Sequence, residues 1–215
     1  VSGEYWILAK PQKAFELQVK GSRFIASISP ADSAAACQQH LNWCQQQWPN
    51  ASHYCTAAIM AAPSDSQAYA MSDDGEPSGT AGMPMLKVLM GANLGEVSAV
   101  VVRYFGGVKL GTGGLQRAYS QALSSALADI EKSLKVPRNL AVLRYAYSDQ
   151  NVIEHLLARY EAKVTAQNFS DYIEQTLEVV AKTQHSLATD INNMTQGRVQ
   201  LICKNEDDSC ASAAF

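Results

Sequence analysis

Two stretches of this chain carry the residue types that do chemistry. One is Ser72-Asp73-Asp74-Gly75-Glu76-Pro77-Ser78-Gly79-Thr80-Ala81-Gly82, three carboxylates among hydroxyls and glycines. The other is Arg103-Tyr104-Phe105-Gly106-Gly107-Val108-Lys109-Leu110-Gly111-Thr112-Gly113-Gly114-Leu115-Gln116-Arg117, where glycines are interleaved with three cations. The second suits an anion, above all a phosphate, or else is a strand–helix turn whose glycines only relieve steric strain. Arg103, Lys109 and Arg117 supply charge, and backbone amides near Gly111, Gly113 and Gly114 supply donors at the start of a helix, where the dipole is positive. Lys20 and Arg23, at a break between two apolar segments, extend the cationic set or else mark a solvated hairpin corner. The acidic stretch admits two readings. Asp73, Asp74 and Glu76 are candidate ligands for a hard ion such as magnesium, or they cap turns and pair with Arg103 or Arg117.

Standard motifs do not fit either stretch. A Walker A loop needs Lys after its last glycine, and Thr112 follows Gly111. A dinucleotide fingerprint begun at Gly111 fails at Gln116, and Asp129 falls within the helical pattern rather than after a second strand. No calcium-loop spacing, Gly-x-Ser-x-Gly elbow or His-Glu-x-x-His pair is present. His53 and Cys55 share a strand face, but no second pair completes a metal site, so His53 reads as a polar rim residue.

The elements that position these loops follow from periodicity. Residues 97–102 are continuously apolar and valine-rich, the pattern of a strand buried on both faces. Leu115, Tyr119, Ala122, Leu123, Ala126, Leu127 and Ile130 then recur at helical spacing. The acidic loop leads into a second helix through Pro84, ended by Gly91. Upstream, residues 5–8, 15–19, 24–28, 53–60 and 68–71 read as strands. A helix starts near Pro30-Ala31-Asp32, with Asp32 as cap or first-turn acid, and runs to Trp48. It carries Cys37 and Cys44 on an apolar stripe. Tyr104 and Phe105 are expected in the core, with stacking on a base as the alternative.

Beyond a linker at residues 136–139, strands at 140–147, 163–169, 173–180 and 199–203 alternate with helices. Ser148 or Asp149 caps the first helix and Gly197 closes the second. The order is βαββαβ, a two-layer sandwich of α+β class. The histidines of these helices, His155 and His185, read as solvent-facing. The expected division is 1–136, 137–205 and an acidic flexible tail at 206–215.

Composition narrows the function classes. The chain has 215 residues, 47% hydrophobic and 17% charged, enough to build real cores. No apolar run is long enough to span a bilayer and no signal peptide is evident, so no membrane partner is expected. Five scattered cysteines without a Cys-x-x-Cys pair point to reduced thiols and a cytoplasmic setting. The net charge of −3 excludes a generally basic nucleic-acid coat, so polyanion binding requires a local patch.

The two loops together, with Lys20-Gly21-Ser22-Arg23-Phe24-Ile25 and His53-Tyr54-Cys55, resemble the signature of the IMPACT family, in its bacterial YigZ-like branch. Gly21 departs from the pattern, standing where a second basic residue is common. The resemblance spans essentially the whole chain. It implies an N-terminal domain with the fold of the second domain of a small-subunit ribosomal protein, followed by a ferredoxin-like domain similar to the terminal domain of elongation factor G. Eukaryotic relatives act in control of translation initiation through partner proteins. The expectation is therefore a non-enzymatic, cofactor-free module that binds RNA or a ribosome-associated protein in regulation of translation. The alternative is an enzyme acting on a phosphorylated small molecule or nucleotide with a divalent metal held by Asp73, Asp74 and Glu76.

Overall fold

The computed structural model describes residues 3–128 and 130–203. The described residues divide into two compact units, one comprising Tyr5–Lys135 and the other residues 136–203 together with Gly3 and Glu4. Asp129 and the acidic tail with Cys210 lie outside the described residues.

In the first unit β1 (Tyr5–Leu8) is followed by β2 (Phe15–Val19), β3 (Ser22–Pro30), α1 (Ala34–Gln47), β4 (His53–Ile59), β5 (Tyr69–Ser72), α2 (Gly82–Gly91), β6 (Val97–Tyr104), α3 (Thr112–Ala126) and β7 (Lys132–Lys135). Five strands form one antiparallel sheet in the order β2-β3-β6-β4-β5. The valine-rich β6 is its central strand, buried on both faces. Its two faces separate by alternation. Val97, Ala99 and Val101 pack under α2 and α3 with Phe24, Cys55, Leu89 and Tyr119. Val100 and Val102 pack under α1 with Ile25, Cys44 and Trp48.

Several local expectations are revised. Ser33, not Asp32, caps α1, its Oγ accepting from the Ala36 amide. Cys44 is buried, whereas Cys37 on the same helix is only half-buried. The expected strand β1 pairs with β7 in a separate two-stranded ribbon, a partner that the four residues Lys132-Ser133-Leu134-Lys135 did not announce. Phe105 is exposed and Tyr104 only half-buried, because the chain leaves the sheet at residue 104.

The second unit contains β8 (Arg138–Tyr145), α4 (Gln150–Arg159), β9 (Lys163–Phe169), β10 (Ile173–Val180), α5 (Gln184–Met194) and β11 (Ile202–Cys203). The antiparallel order β11-β8-β10-β9 places the first and third strands of the βαββαβ run at the centre. Ile153, Leu156, Leu157, Leu187 and Ile191 close the core against Leu143, Ile173 and Leu177. Asp149 does not cap α4 with its side chain; it pairs with Arg198 at 2.7 Å. Of residues 199–203 only two form strand. His155 and His185 are exposed. The fold is α+β in both units.

Candidate functional site

The acidic loop and the glycine loop meet on the α2/α3 side of the sheet. His53 and Arg103 are directly opposite one another on β4 and β6. Between them sits Glu76, whose side chain is almost wholly buried. Its Oε1 accepts from Arg103 Nη1 at 2.5 Å and from the Tyr119 hydroxyl at 2.8 Å. His53 Nδ1 lies 2.7 Å from the Asp74 carbonyl. That oxygen can only accept, so Nδ1 carries the proton and Nε2 faces Glu76 Oε2 across 3.9 Å. The Cys55 thiol completes the cluster, 3.0 Å from the Asp73 carbonyl and 3.3 Å from the Tyr119 hydroxyl. Burial pushes the Cys55 pKa up to about 12, and burial together with Cys55 and Glu76 raises that of Tyr119. Both stay protonated and act as hydrogen-bonding groups rather than nucleophiles.

This cluster corrects one expected contact. Arg103 is 5% exposed, bound to Glu76 and lying between the Phe24 and Phe105 rings, so it cannot reach an external phosphate in this conformation. It belongs to the scaffold. Arg23 is exposed but held by both oxygens of Glu16 at 2.9 Å.

The three carboxylates are likewise committed internally. Asp73 Oδ1 accepts from the Ala81 and Gly82 amides at 2.9 and 2.8 Å, and Oδ2 from Gly79 at 2.7 Å. Burial raises its pKa, but the three amides outweigh that and hold it below the usual carboxylate range. Asp74 accepts from the Tyr54 amide at 2.6 Å. Both oxygens of Asp73 are thus engaged, with Oδ2 of Asp74 and Oε1 of Glu76. Among the described residues no group of three or more His, Cys, Asp or Glu is arranged to hold a metal.

Asp73 thus fills the helix start of α2 with an internal anion. The start of α3 is different. Gly111, its cap residue, has φ 71° and ψ 166°, a conformation close to exclusive to glycine, and offers no side-chain cap. No acid lies in the first turn, and nothing stands within 4 Å of where a Cβ on Gly111 or Gly113 would be. The backbone at Gly111 and Gly113 therefore faces open surface, whereas a Cβ on Gly114 would lie 3.1 Å from Leu110 Cβ.

The loop before α3 is fixed from the other side. Lys20 and Gly21 both have positive φ and turn the β2–β3 hairpin tightly. A Cβ on Gly106 would lie 1.9 Å from the Gly21 carbonyl carbon, so hairpin and loop touch backbone to backbone. The Gly106 amide also donates to Ser22 Oγ at 3.1 Å. This contact brings Lys20 beside the loop that carries Lys109.

A shallow groove continues from the start of α3 along its outer face and across to α2. One part, of about 350 Å³, is lined by Gly79, Lys87, Gln116 and Ser120 among others. The adjoining part adds Arg117, Gln121 and Ser124. Gln116 Nε2 reaches the Gly79 carbonyl at 3.3 Å and joins the two loops. No acid lines either part. Lys20, Lys87, Lys109 and Arg117 are exposed and make no ion pair among the described residues. Lys87 was not singled out from the sequence. The signal was present: Met85, Leu86 and Leu89 are the buried stripe of α2, which turns Lys87 outward.

Comparison with known proteins agrees with this architecture. The Impact N-terminal domain matches residues 20–127, and a domain of unknown function (DUF1949) matches residues 143–198. An IMPACT family member of Haemophilus influenzae is 39% identical over 194 residues, covering 90% of this chain and 94% of its own. The IMPACT family member YigZ of Escherichia coli K12 is 34% identical over 203 residues, covering 94% and 100%. A crystal structure of a hypothetical protein matches at 34% identity with a TM-score of 0.66, over 96% of this chain and all of that one. The chain belongs to the IMPACT family.

Proposed function

We propose that the α2/α3 face is a binding surface for the phosphate backbone of RNA, and that the protein acts as a non-enzymatic module in regulation of translation. The observation that supports this most is the asymmetry of charge use. Asp73, Asp74 and Glu76 make internal contacts, while Lys20, Lys87, Lys109 and Arg117, on one face with the uncapped start of α3, make no ion pair among the described residues. Cations and free amides on one face form an anion-binding surface without a generally basic chain. Exposed Phe105, beside the loop, supplies a stacking surface.

The test is binding of a single-stranded RNA to the full chain and to a Lys87→Ala/Lys109→Ala/Arg117→Ala variant. All three side chains are exposed, so the variant folds. The expected result is a loss of affinity of at least about tenfold, since such contacts carry most non-specific binding. Equal affinity of the two proteins overturns the reading.

A further inference from the structure

The opposite face of the sheet, under α1, holds a cavity of about 360 Å³ that the anion-binding surface does not use. Its size falls in the range of small-molecule sites. Three features of its walls bear on what fits it. First, Trp43 is 46% exposed yet held in place by two rings. His40 lies near-parallel at 25° with centroids 6.4 Å apart, and Trp48 stands edge-on at 5.5 Å. An indole left open but fixed in orientation is a preorganised stacking face. Second, among the described residues no Asp, Glu, Lys or Arg lines the cavity. Its one ionisable ring, His40, has both nitrogens engaged, Nε2 by Ser27 Oγ at 2.9 Å and Nδ1 by Ser98 Oγ at 3.0 Å. Third, two amides stand at the rim. Gln12 donates Nε2 to the Lys10 carbonyl at 2.6 Å, which anchors the group and leaves Oε1 as an acceptor. Gln39 makes no side-chain hydrogen bond among the described residues and offers a donor and an acceptor.

We infer that this cavity binds an uncharged, planar heteroaromatic group of the nucleobase class, stacked on Trp43 and read at its edge by Gln12 and Gln39. The base arrives as a free nucleoside or as one base of an RNA strand; the chemistry is the same. A nucleotide phosphate gains nothing there, because no cation lines the wall.

The experiment is a titration of the full chain with adenosine, guanosine, cytidine, uridine, adenosine monophosphate and a short single-stranded RNA. The indole N–H resonance of Trp43, assigned by its loss in Trp43→Leu, is the readout. At least one nucleoside is expected to shift it saturably, with affinity, measured by calorimetry on each protein, falling tenfold or more in Trp43→Leu and severalfold in Gln39→Ala. Gln39 is exposed, so that variant keeps its fold even if Trp43→Leu does not. Shifts from nucleosides alone identify the free base as the source; the same shift with RNA identifies the strand. The Lys87→Ala/Lys109→Ala/Arg117→Ala variant retains the nucleoside shift, so this inference and the RNA-backbone reading fail separately. Absence of any shift at millimolar concentrations, unchanged affinity in Gln39→Ala, or a tenfold preference for the monophosphate overturns it.

Discussion

Glu76 is the side chain on which the interior of the α2/α3 face depends. Its carboxylate and the Arg103 guanidinium are 3% and 6% exposed, and each is the other's charge partner. Removing one charge strands the other in a medium that solvates it poorly. Glu76→Gln is therefore expected to lower unfolding stability by about 3 kcal/mol, measured by urea denaturation. A change within about 0.5 kcal/mol, the range of an ordinary surface substitution, contradicts the burial described. His40 gives a second residue-level test. Burial lowers its pKa from 6.5 to about 4, so the folded protein keeps the ring neutral while the unfolded chain protonates it. Its stabilising contribution is complete above pH 6.5 and is lost as pH falls toward 4, by about 3 kcal/mol in all. Unfolding free energies measured between pH 7 and 4 are expected to show this loss in the parent, and a flatter profile in His40→Gln. The sequence offered turn capping by the acids and pairing with Arg103 or Arg117, and the structure selects Asp73 as the cap and Glu76–Arg103 as the pair. Arg103 and Lys109 look alike in the motif. Only the alternation of β6 separates them: Arg103 continues the inward series of Val97, Ala99 and Val101, and Lys109 follows the loop.

At the scale of elements, the chain builds a glycine-rich loop and a helix start twice and uses them differently. Before α2 the carboxylate of Asp73 fills the site from within. Before α3 no side chain among the described residues caps the helix start. Gly113→Ala separates a structural from a ligand-binding reason for the glycine. A Cβ there meets no neighbour, so Ala is expected to leave the fold unchanged or stabilise it by up to about 1 kcal/mol. The same methyl projects onto the open surface and is expected to weaken RNA binding. Thermal unfolding and RNA titration of the one variant read both effects; unchanged affinity removes the α3 start from the interface. Most elements were legible because their patterns are long: the valine run of β6, the stripe of α3 and the alternation of β10. β1 and the last strand were legible too, but β7, its pairing with β1 and the shortness of β11 were not, since two to four residues carry too little periodicity and depend on a distant partner.

At the scale of the whole molecule, charge bookkeeping explains how a chain of net charge −3 presents a cationic face. Glu16, Asp73, Asp74, Glu76, Glu96 and Glu131 all engage internal partners. Of the cations without an ion pair among the described residues, Lys20, Lys87, Lys109 and Arg117 lie on α2, on α3 or on the loops beside them, while Lys13, Lys132, Arg138, Arg144, Lys163 and Lys182 lie elsewhere. The α+β class and the family were readable in the sequence because the two signature loops are long and specific. The groove between α2 and α3 was not, because it forms only when Gln116 and Gly79, far apart in the chain, come together. The most direct measurement of the central claim is the salt dependence of RNA binding by the parent and by the Lys87→Ala/Lys109→Ala/Arg117→Ala variant. Each lost phosphate contact removes about 0.7 from the slope of log K against log salt for a single strand. The slope is expected to become shallower by about 2 in the variant; an identical slope in the two proteins would contradict the account.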